Sequence, residues 1–510
     1  MITFTHRGFY LHASWQYAYP FAVRSWKLED YVGMFRVLRE LGLDRVMIWP
    51  MAEIVPPPIS NPDRDYLLGF RRIVDEAHDL GLECWLVLCA NLTCTDAVRA
   101  QPCRDRVFYP HMRRFLLDDP DERRVCMNHL REVMVCLNNA DGYVFIDGDP
   151  GGYPGAKPED FMAMLGQVRR ILEETRPGES PKIIPWVWSG WGADWENEGV
   201  WKPDLRKLVR PFLASLKNNP PGEPWELLPG RSIREGHANG RINFEMTEEA
   251  GLLDRSTLLT YEIIEFEPTP PAFVIQFDDI RRVIRQEQPL SPRVRGIMGN
   301  AQQPLTALHN LFYFARCAED PGWLDRSDED VLRALAAFLG GDADLLLPAW
   351  TIARADFDHV PSDLAGRLRR SGLRSEVARS LPGGSGTYLE ILALFVDARI
   401  GVLRLASTDP ADSSRATAGL ASAVESVIRW WLRHRYVYDG NEGPDFQWKH
   451  THAALLDSLR KWVDDLPGPI DETFIQQVIG QLTTGNSPEG VVMISAIRDL
   501  LSSEGRIGRH

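Results

Sequence analysis

Two carboxylates that stand one residue apart, Asp147 and Asp149, are the most chemically suggestive feature of the chain. They follow a short apolar run, Tyr143 to Ile146, and precede Pro-Gly-Gly at 150–152. An apolar run of this length is typical of a parallel strand covered on both faces. Acids at the carboxyl end of such a strand lie where barrel and open-sheet enzymes place their sites. Because neighbouring carboxylates repel, one of them tends to keep a proton near neutral pH, which indicates acid/base chemistry.

Strand and helix signals alternate through the first three hundred residues. We place strands at 7–13, 45–49, 82–89, 142–146, 182–188, 225–228, 258–264 and 294–298, with helical spacing of apolar residues between most of them. This order predicts an α/β chain whose residues 1–304 close into a (β/α)8 barrel. The sixth strand has the weakest signal, since 227–243 reads as a long loop. Residues 100–125 read as a second insertion.

After residue 304 only helical signals remain, which predicts an α-helical domain over 305–510. This domain is a candidate interface for a homo-oligomer and a candidate wall of the pocket.

The predicted ends of the barrel strands carry acids, tryptophans and amides. The candidate catalytic acids are Asp147 and Asp149 after the fourth strand and Glu262 and Glu265 at the seventh. Side chains alternate between faces along a strand, so Glu262 or Glu265, but not both, would face a regular barrel axis. The candidate substrate-binding residues are His12, Trp49, Asn91, Trp186, Trp188, Trp191, Asn300 and Gln302, and the same inventory includes Glu53.

These residue types suit a neutral, hydroxyl-rich ligand and hydrolysis through carboxylates, because flat indole rings stack on the apolar faces of sugars. Each also has a purely structural interpretation. Asp147 and Asp149 can cap a loop or helix, the tryptophans can be core residues, and His12 can be a satisfied buried histidine. The chain carries no phosphate cradle, no Gly-x-Ser-x-Gly and no His-Glu-x-x-His, so no cofactor and no metal are predicted.

Composition limits the partners. The 71 acidic and 57 basic side chains give a net charge of −14, which disfavours nucleic acid and anionic membranes. No apolar run approaches membrane-spanning length, and the amino terminus lacks a secretory signal, so a cytoplasmic location is expected. The seven cysteines form no Cys-x-x-Cys pair and are interpreted as small core residues in a reducing compartment.

Two segments carry a resemblance to a known family. Arg7-Gly-Phe-Tyr-Leu-His12 and Leu43-Asp-Arg-Val-Met-Ile-Trp49 resemble the first two strands of the β-N-acetylhexosaminidase family of barrel glycoside hydrolases. The resemblance implies that Arg7 binds the sugar. From the residues alone, two roles for Arg7 remain possible: a contact with the ligand or an ion pair with a strand-end acid.

The fourth strand of that family ends in Gly-Gly-Asp-Glu, where the aspartate holds the acetamido group and the glutamate is the acid/base. The resemblance places Asp149 on the aspartate and Pro150 on the glutamate. Proline cannot donate a proton, so the acid role would pass to Asp147 with Asp149 or to the strand-seven glutamates. The helical region after the barrel is similar to the layout of α-glucuronidases and O-GlcNAc-removing hydrolases.

The sequence therefore predicts a glycoside hydrolase that acts on a small carbohydrate through carboxylate acid/base chemistry. A catalytically silent carbohydrate-binding barrel is the alternative, favoured by Pro150. A third hypothesis places a divalent metal on Asp147, Asp149 and a glutamate. It ranks below the others because no histidine accompanies these acids at ligand spacing.

Overall fold

The computed structural model describes residues 3–13, 19–89, 91–106, 111–117, 119–146, 158–187, 205–232, 242–261, 273–352, 363–406 and 426. The chain divides into two compact units. The first comprises 1–267, 276–331 and 379–382, and the second comprises 268–275, 332–378 and 383–510.

Eight parallel strands close into a barrel in the order β1-β10-β9-β8-β7-β6-β3-β2. This confirms the predicted fold class. The barrel strands are β1 (His6–Leu11), β2 (Arg45–Ile48), β3 (Glu83–Leu88), β6 (Gly142–Ile146), β7 (Lys182–Val187), β8 (Leu228–Ser232), β9 (Thr257–Tyr261) and β10 (Gly296–Ala301). A separate antiparallel pair, β4 (Leu92–Cys94) and β5 (Met112–Arg114), follows β3.

Thirteen helices lie within the part of the chain that the structure describes. They are α1 (Leu28–Glu40), α2 (Asn61–Asp79), α3 (Pro120–Cys136), α4 (Pro158–Thr175), α5 (Leu205–Asn218), α6 (Ile242–Glu249), α7 (Phe277–Glu287), α8 (Leu308–Glu319), α9 (Asp328–Leu339), α10 (Ala343–Trp350), α11 (Leu364–Arg370), α12 (Glu376–Ser380) and α13 (Gly384–Ala406). The predicted stops after α1 and α2 are confirmed, because Gly42 and Gly81 both have positive φ.

Three features differ from the sequence prediction. The sixth barrel strand begins at Leu228 instead of residue 225, and α6 begins inside the stretch interpreted as a loop. The insertion after β3 contains a β-pair. The predicted boundary at residue 304 falls inside the first unit, because α8 contacts β10 and β1 as the eighth helix of the barrel.

The strand register shows which side chains face the barrel axis. Tyr10 of β1 pairs with Met47 of β2 and Asn300 of β10, and interior residues alternate with exterior ones along each strand. Tyr10 also meets Trp186 of β7 edge to face, with ring centroids 5.6 Å apart. Because β1 and β7 lie on opposite sides of the closed barrel, these two rings fill its interior.

A buried ionic network occupies the amino-terminal end of the barrel interior. Arg45 donates to Glu83 at 2.8 Å and to Glu226 at 3.1 Å. Lys182 pairs with the same two carboxylates. Burial alone would raise the pKa of Glu83, but the charges of Arg45 and Lys182 outweigh it and hold that pKa at about 2. The network neutralises its own charges at the end opposite the expected site, where a structural role is typical.

The described part of the second unit is helical. Trp350 Nε1 donates to the hydroxyl of the buried Tyr388 at 2.8 Å. Arg369 of α11 pairs with Glu390 and Asp397 of α13. The described residues contain no helix that is both long and apolar enough to span a bilayer.

Candidate active site at the carboxyl ends of the barrel strands

Six predicted binding residues lie at the carboxyl-terminal end of the barrel. They lie at the ends of five different strands, and all are buried: His12, Trp49, Asn91, Trp186, Asn300 and Gln302. The strands bring together residues that are up to about three hundred positions apart in sequence, because parallel strands end at one face of a barrel. The described part of the site is therefore a buried floor of aromatic and amide groups.

Four rings form a continuous row across this floor, from β7 to the end of β2. Trp186 meets Tyr10, whose ring centroid lies 4.9 Å from that of His12, and His12 meets Trp49 at 5.7 Å. We call these four residues the aromatic row. Tyr10 was not among the sequence candidates, although it lies two positions before His12 on the same face of β1.

The imidazole of His12 is neutral in this setting. Burial lowers the pKa of His12 to about 3, because a charged ring would lose its hydration. His12 is therefore a neutral hydrogen-bonding and stacking group at physiological pH, with no charge to attract an anionic ligand.

Glu53 is the acid that the structure brings to the described rim. Its side chain lies just beyond the end of β2 and is only 2% exposed. Burial raises the pKa of Glu53 to about 7, against hydrogen bonds from Cys89 and Trp49 that lower it. The sequence predicts Glu53 among the residues at the strand ends. Its burial, which raises its pKa, cannot be deduced from the local sequence.

A buried cluster joins the loop after β2 to the loop after β3. The carboxylate of Asp63, at the start of α2, accepts from Arg106 at 2.6 Å and from Arg99 at 2.8 Å. Arg106 also donates to the carbonyl of Ile54 at 3.0 Å, and Arg24 donates to the carbonyls of Cys103 and Arg106. Charge-assisted hydrogen bonds of this kind hold the two loops as one wall of the rim.

Arg7 does not lie at this rim. It is the second residue of β1, and its guanidinium donates through Nε and Nη2 to the carbonyl of Gly42, at 3.1 and 2.8 Å. Gly42 precedes β2, so the contact lies at the amino-terminal end of the barrel. The sugar-binding role implied by the resemblance is not supported at this position, because barrel sites form at the opposite end.

The remaining candidates lie outside the described residues. They are Asp147, Asp149, Glu262, Glu265, Trp188 and Trp191. Each follows the carboxyl end of a strand that the structure confirms as part of the barrel: Ile146 ends β6, Val187 ends β7 and Tyr261 ends β9. Their roles stay predictions. Within the described ranges, no group of three histidine, cysteine or acidic side chains has the arrangement of a metal site.

Comparison with known proteins found solved structures that are similar to this chain at low sequence identity. No protein-family model matches the chain, and no curated protein matches its sequence. A mutant O-GlcNAc hydrolase of Thermobaculum terrenum is 12% identical, with 91% of this chain and 96% of that chain covered and a TM-score of 0.48. CpGH84D is 10% identical, with 85% and 70% covered and a TM-score of 0.43.

CpGH84B is similar at 11% identity, with 87% of this chain and 76% of that chain covered and a TM-score of 0.41. The fold thus defines a (β/α)8 barrel with a second, helical unit, and the chain distantly resembles structures of glycoside hydrolases. At these identities and TM-scores the likeness indicates neither the reaction nor the substrate.

Proposed function

We propose that the chain is a glycoside hydrolase whose site lies at the carboxyl ends of the barrel strands. The observation that supports this most is the aromatic row, which crosses that end of the barrel beside the amides Asn91, Asn300 and Gln302. Flat rings and amides are the groups that stack on sugars and hydrogen-bond their hydroxyls. At the same end, the chain continues from β6 into Asp147 and Asp149 and from β9 into three glutamates, Glu262, Glu265 and Glu267.

The proposed chemistry uses two carboxyl groups. One donates a proton to the leaving glycosidic oxygen, and the other acts as nucleophile, base or orienting group. We assign these roles first to Asp149 and Asp147, which directly follow β6, and next to Glu262 and Glu265, which follow β9. Trp186, Trp188 and Trp191 would line the sugar sites.

The distribution of cations favours a neutral sugar. Of the eight segments that follow the barrel strands, four contain neither lysine nor arginine: 12–22, 49–60, 262–276 and 302–307, after β1, β2, β9 and β10. After β3, Arg99 and Arg106 are paired with Asp63. The described inward-facing cations, Arg45 and Lys182, lie at the opposite end and are paired with carboxylates. A carboxylated or phosphorylated sugar would be repelled by the acids of the rim, so we propose an uncharged glycoside or oligosaccharide as substrate.

The test is a panel of neutral and anionic aryl glycosides with the purified full-length chain. We expect turnover of at least one neutral glycoside. The replacements Asp149→Asn and Asp147→Asn should each lower kcat on it by about 10²-fold or more, because a missing acid, base or nucleophile costs at least that much. The exposed Asp79→Asn is the matched control and should leave kcat unchanged.

Full turnover by both Asp149→Asn and Asp147→Asn would contradict the assignment of the pair. The same substrate would then be used on Glu262→Gln and Glu265→Gln.

A non-catalytic carbohydrate-binding barrel is the second candidate. The observation that favours it is Pro150, which stands at the position where the β-N-acetylhexosaminidase family has its acid/base glutamate. It predicts that saccharides raise the melting temperature of the chain while no product forms on any member of the panel.

A further inference from the structure

The side chain of Glu53 joins the ends of two neighbouring barrel strands. Its Oε2 accepts from Trp49 Nε1 at 3.0 Å, and its Oε1 accepts from the backbone N–H of Cys89 at 2.6 Å. The ladder between β2 and β3 ends at the pair Ile48 and Leu86. The carboxyl group therefore extends the connection between these strands beyond their last backbone pairing.

Glu53 is poorly suited to act as the proton donor of the reaction. A general acid must present its O–H to the leaving oxygen of the substrate. Both oxygens of Glu53 already face N–H donors, so neither is directed at a substrate.

We propose that Glu53 is a positioning residue, which holds Trp49, and through it the aromatic row, in the orientation on which a sugar ring stacks. This proposal rests on the proposed function. Trp49 is the end of the row, since its ring meets His12, and its indole nitrogen is fixed by Glu53. The other oxygen accepts from the backbone N–H of Cys89, so the position of the indole is fixed relative to β3 as well as to β2.

The residue type supports this role. Above pH 7, where Glu53 is ionised, its carboxylate accepts hydrogen bonds on both oxygens, whereas the amide of glutamine has one acceptor and one NH₂ donor at every pH. Glutamine at position 53 would therefore place its NH₂ against either the indole N–H or the backbone N–H. The burial that raises the pKa of Glu53 is the energetic cost of placing a carboxyl here, and the two N–H donors offset part of it.

The experiment compares Glu53→Gln, Trp49→Phe and the double variant with the exposed Glu40→Gln as matched control. The probe is the neutral aryl glycoside selected from the panel, assayed at pH 8, where Glu53 is ionised. We expect Glu53→Gln and Trp49→Phe each to raise KM about tenfold while kcat changes less than about threefold, since only binding orientation is lost. The double variant should be no more than about twofold worse than either single variant, because both break the same contact.

A second readout does not depend on turnover. Hydrogen exchange of the peptide that contains Cys89 should be faster in Glu53→Ala than in the parent or in Glu40→Gln, because the alanine leaves the Cys89 N–H without its carboxylate acceptor. Faster exchange in Glu53→Ala with an unchanged KM in the same variant would show a purely structural contact and would overturn the positioning role. Should Glu53→Gln fail to fold, Trp49→Phe removes the indole N–H together with the five-membered ring that carries it, and an unchanged KM there overturns the positioning role equally.

The two proposals fail in different ways. If the parent chain neither turns over nor binds any saccharide of the panel, the proposed function is wrong and the positioning role fails with it. If the parent is active and KM is insensitive to both single replacements, the positioning role alone is wrong.

Discussion

Burial decides the properties of the individual residues at the rim. It lowers the pKa of His12 and raises that of Glu53, in each case because the charged form loses its hydration. A histidine and a glutamate that would differ in charge at pH 6 in water are thus both driven towards neutrality. The described rim is less charged than its residue types suggest, which agrees with an uncharged ligand.

Glu53 should make the stability of the chain depend on pH. Its pKa is raised from an ordinary value of 4.5 to about 7, so between these values the folded chain holds a proton that the unfolded chain has released. The free energy of unfolding therefore falls as pH rises through this window, by up to about 3 kcal/mol. Glu53→Gln should remove this dependence, so that the variant gains stability relative to the parent between pH 5 and 8.

Urea unfolding of parent and variant across pH 5 to 8 measures this difference directly. A constant difference at every pH would show that Glu53 is ionised in the folded chain throughout.

At the scale of elements, the two ends of the barrel strands have different tasks. The carboxyl ends carry aromatic and amide groups, whereas the amino ends carry the network of Arg45, Glu83, Lys182 and Glu226. The balanced charges at the amino ends stabilise the barrel and do not contribute to a site at the carboxyl ends.

Arg45→Met should destabilise the chain strongly and leave substrate binding unchanged. After the replacement, two carboxylates, Glu83 and the completely buried Glu226, share Lys182 as their principal cation. Removal of one partner of a buried ion pair costs about 3–5 kcal/mol. Urea unfolding measures the loss, with the exposed Arg72→Met as control. The double variant Arg45→Met with Glu226→Gln should lose less than the sum of its single variants. A loss below about 1 kcal/mol for Arg45→Met would mean that the network is not stabilising.

At the scale of the whole molecule, the cysteines share one environment, the protein interior. All seven are buried, which confirms their interpretation as core residues. Burial raises the pKa of Cys103, Cys126 and Cys317 to about 12 and that of Cys84 further still. Because the thiolate is the reactive form, both burial and pKa protect these side chains.

The native chain should therefore be inert to thiol reagents. We expect no thiol to react with an aromatic disulfide reagent at pH 8 within minutes, and all seven to react after denaturation in guanidinium. The melting temperature should be the same with and without reductant. A rapidly reacting thiol in the native chain would identify a cysteine in a very different environment.

The sequence by itself determined the elements and their order. Apolar runs between helix-spaced segments predict β2, β3, β6 and β7 to within about one residue, because a strand buried on both faces must be apolar along its length. The short β4 and β5 were not predicted, since three-residue strands carry too little periodicity.

Only the tertiary structure decided which residues share an environment. The contacts of Tyr10 with Trp186 and of Arg45 with Glu226 join residues more than one hundred and seventy positions apart. No local pattern encodes such pairs, because they exist only once the barrel has closed. The same holds for Glu53, whose burial depends on the packing of neighbouring strands, and for Arg7, whose place at the amino end follows from the direction of β1. Residue types and periodicity are local properties, whereas burial and partnership arise from the fold.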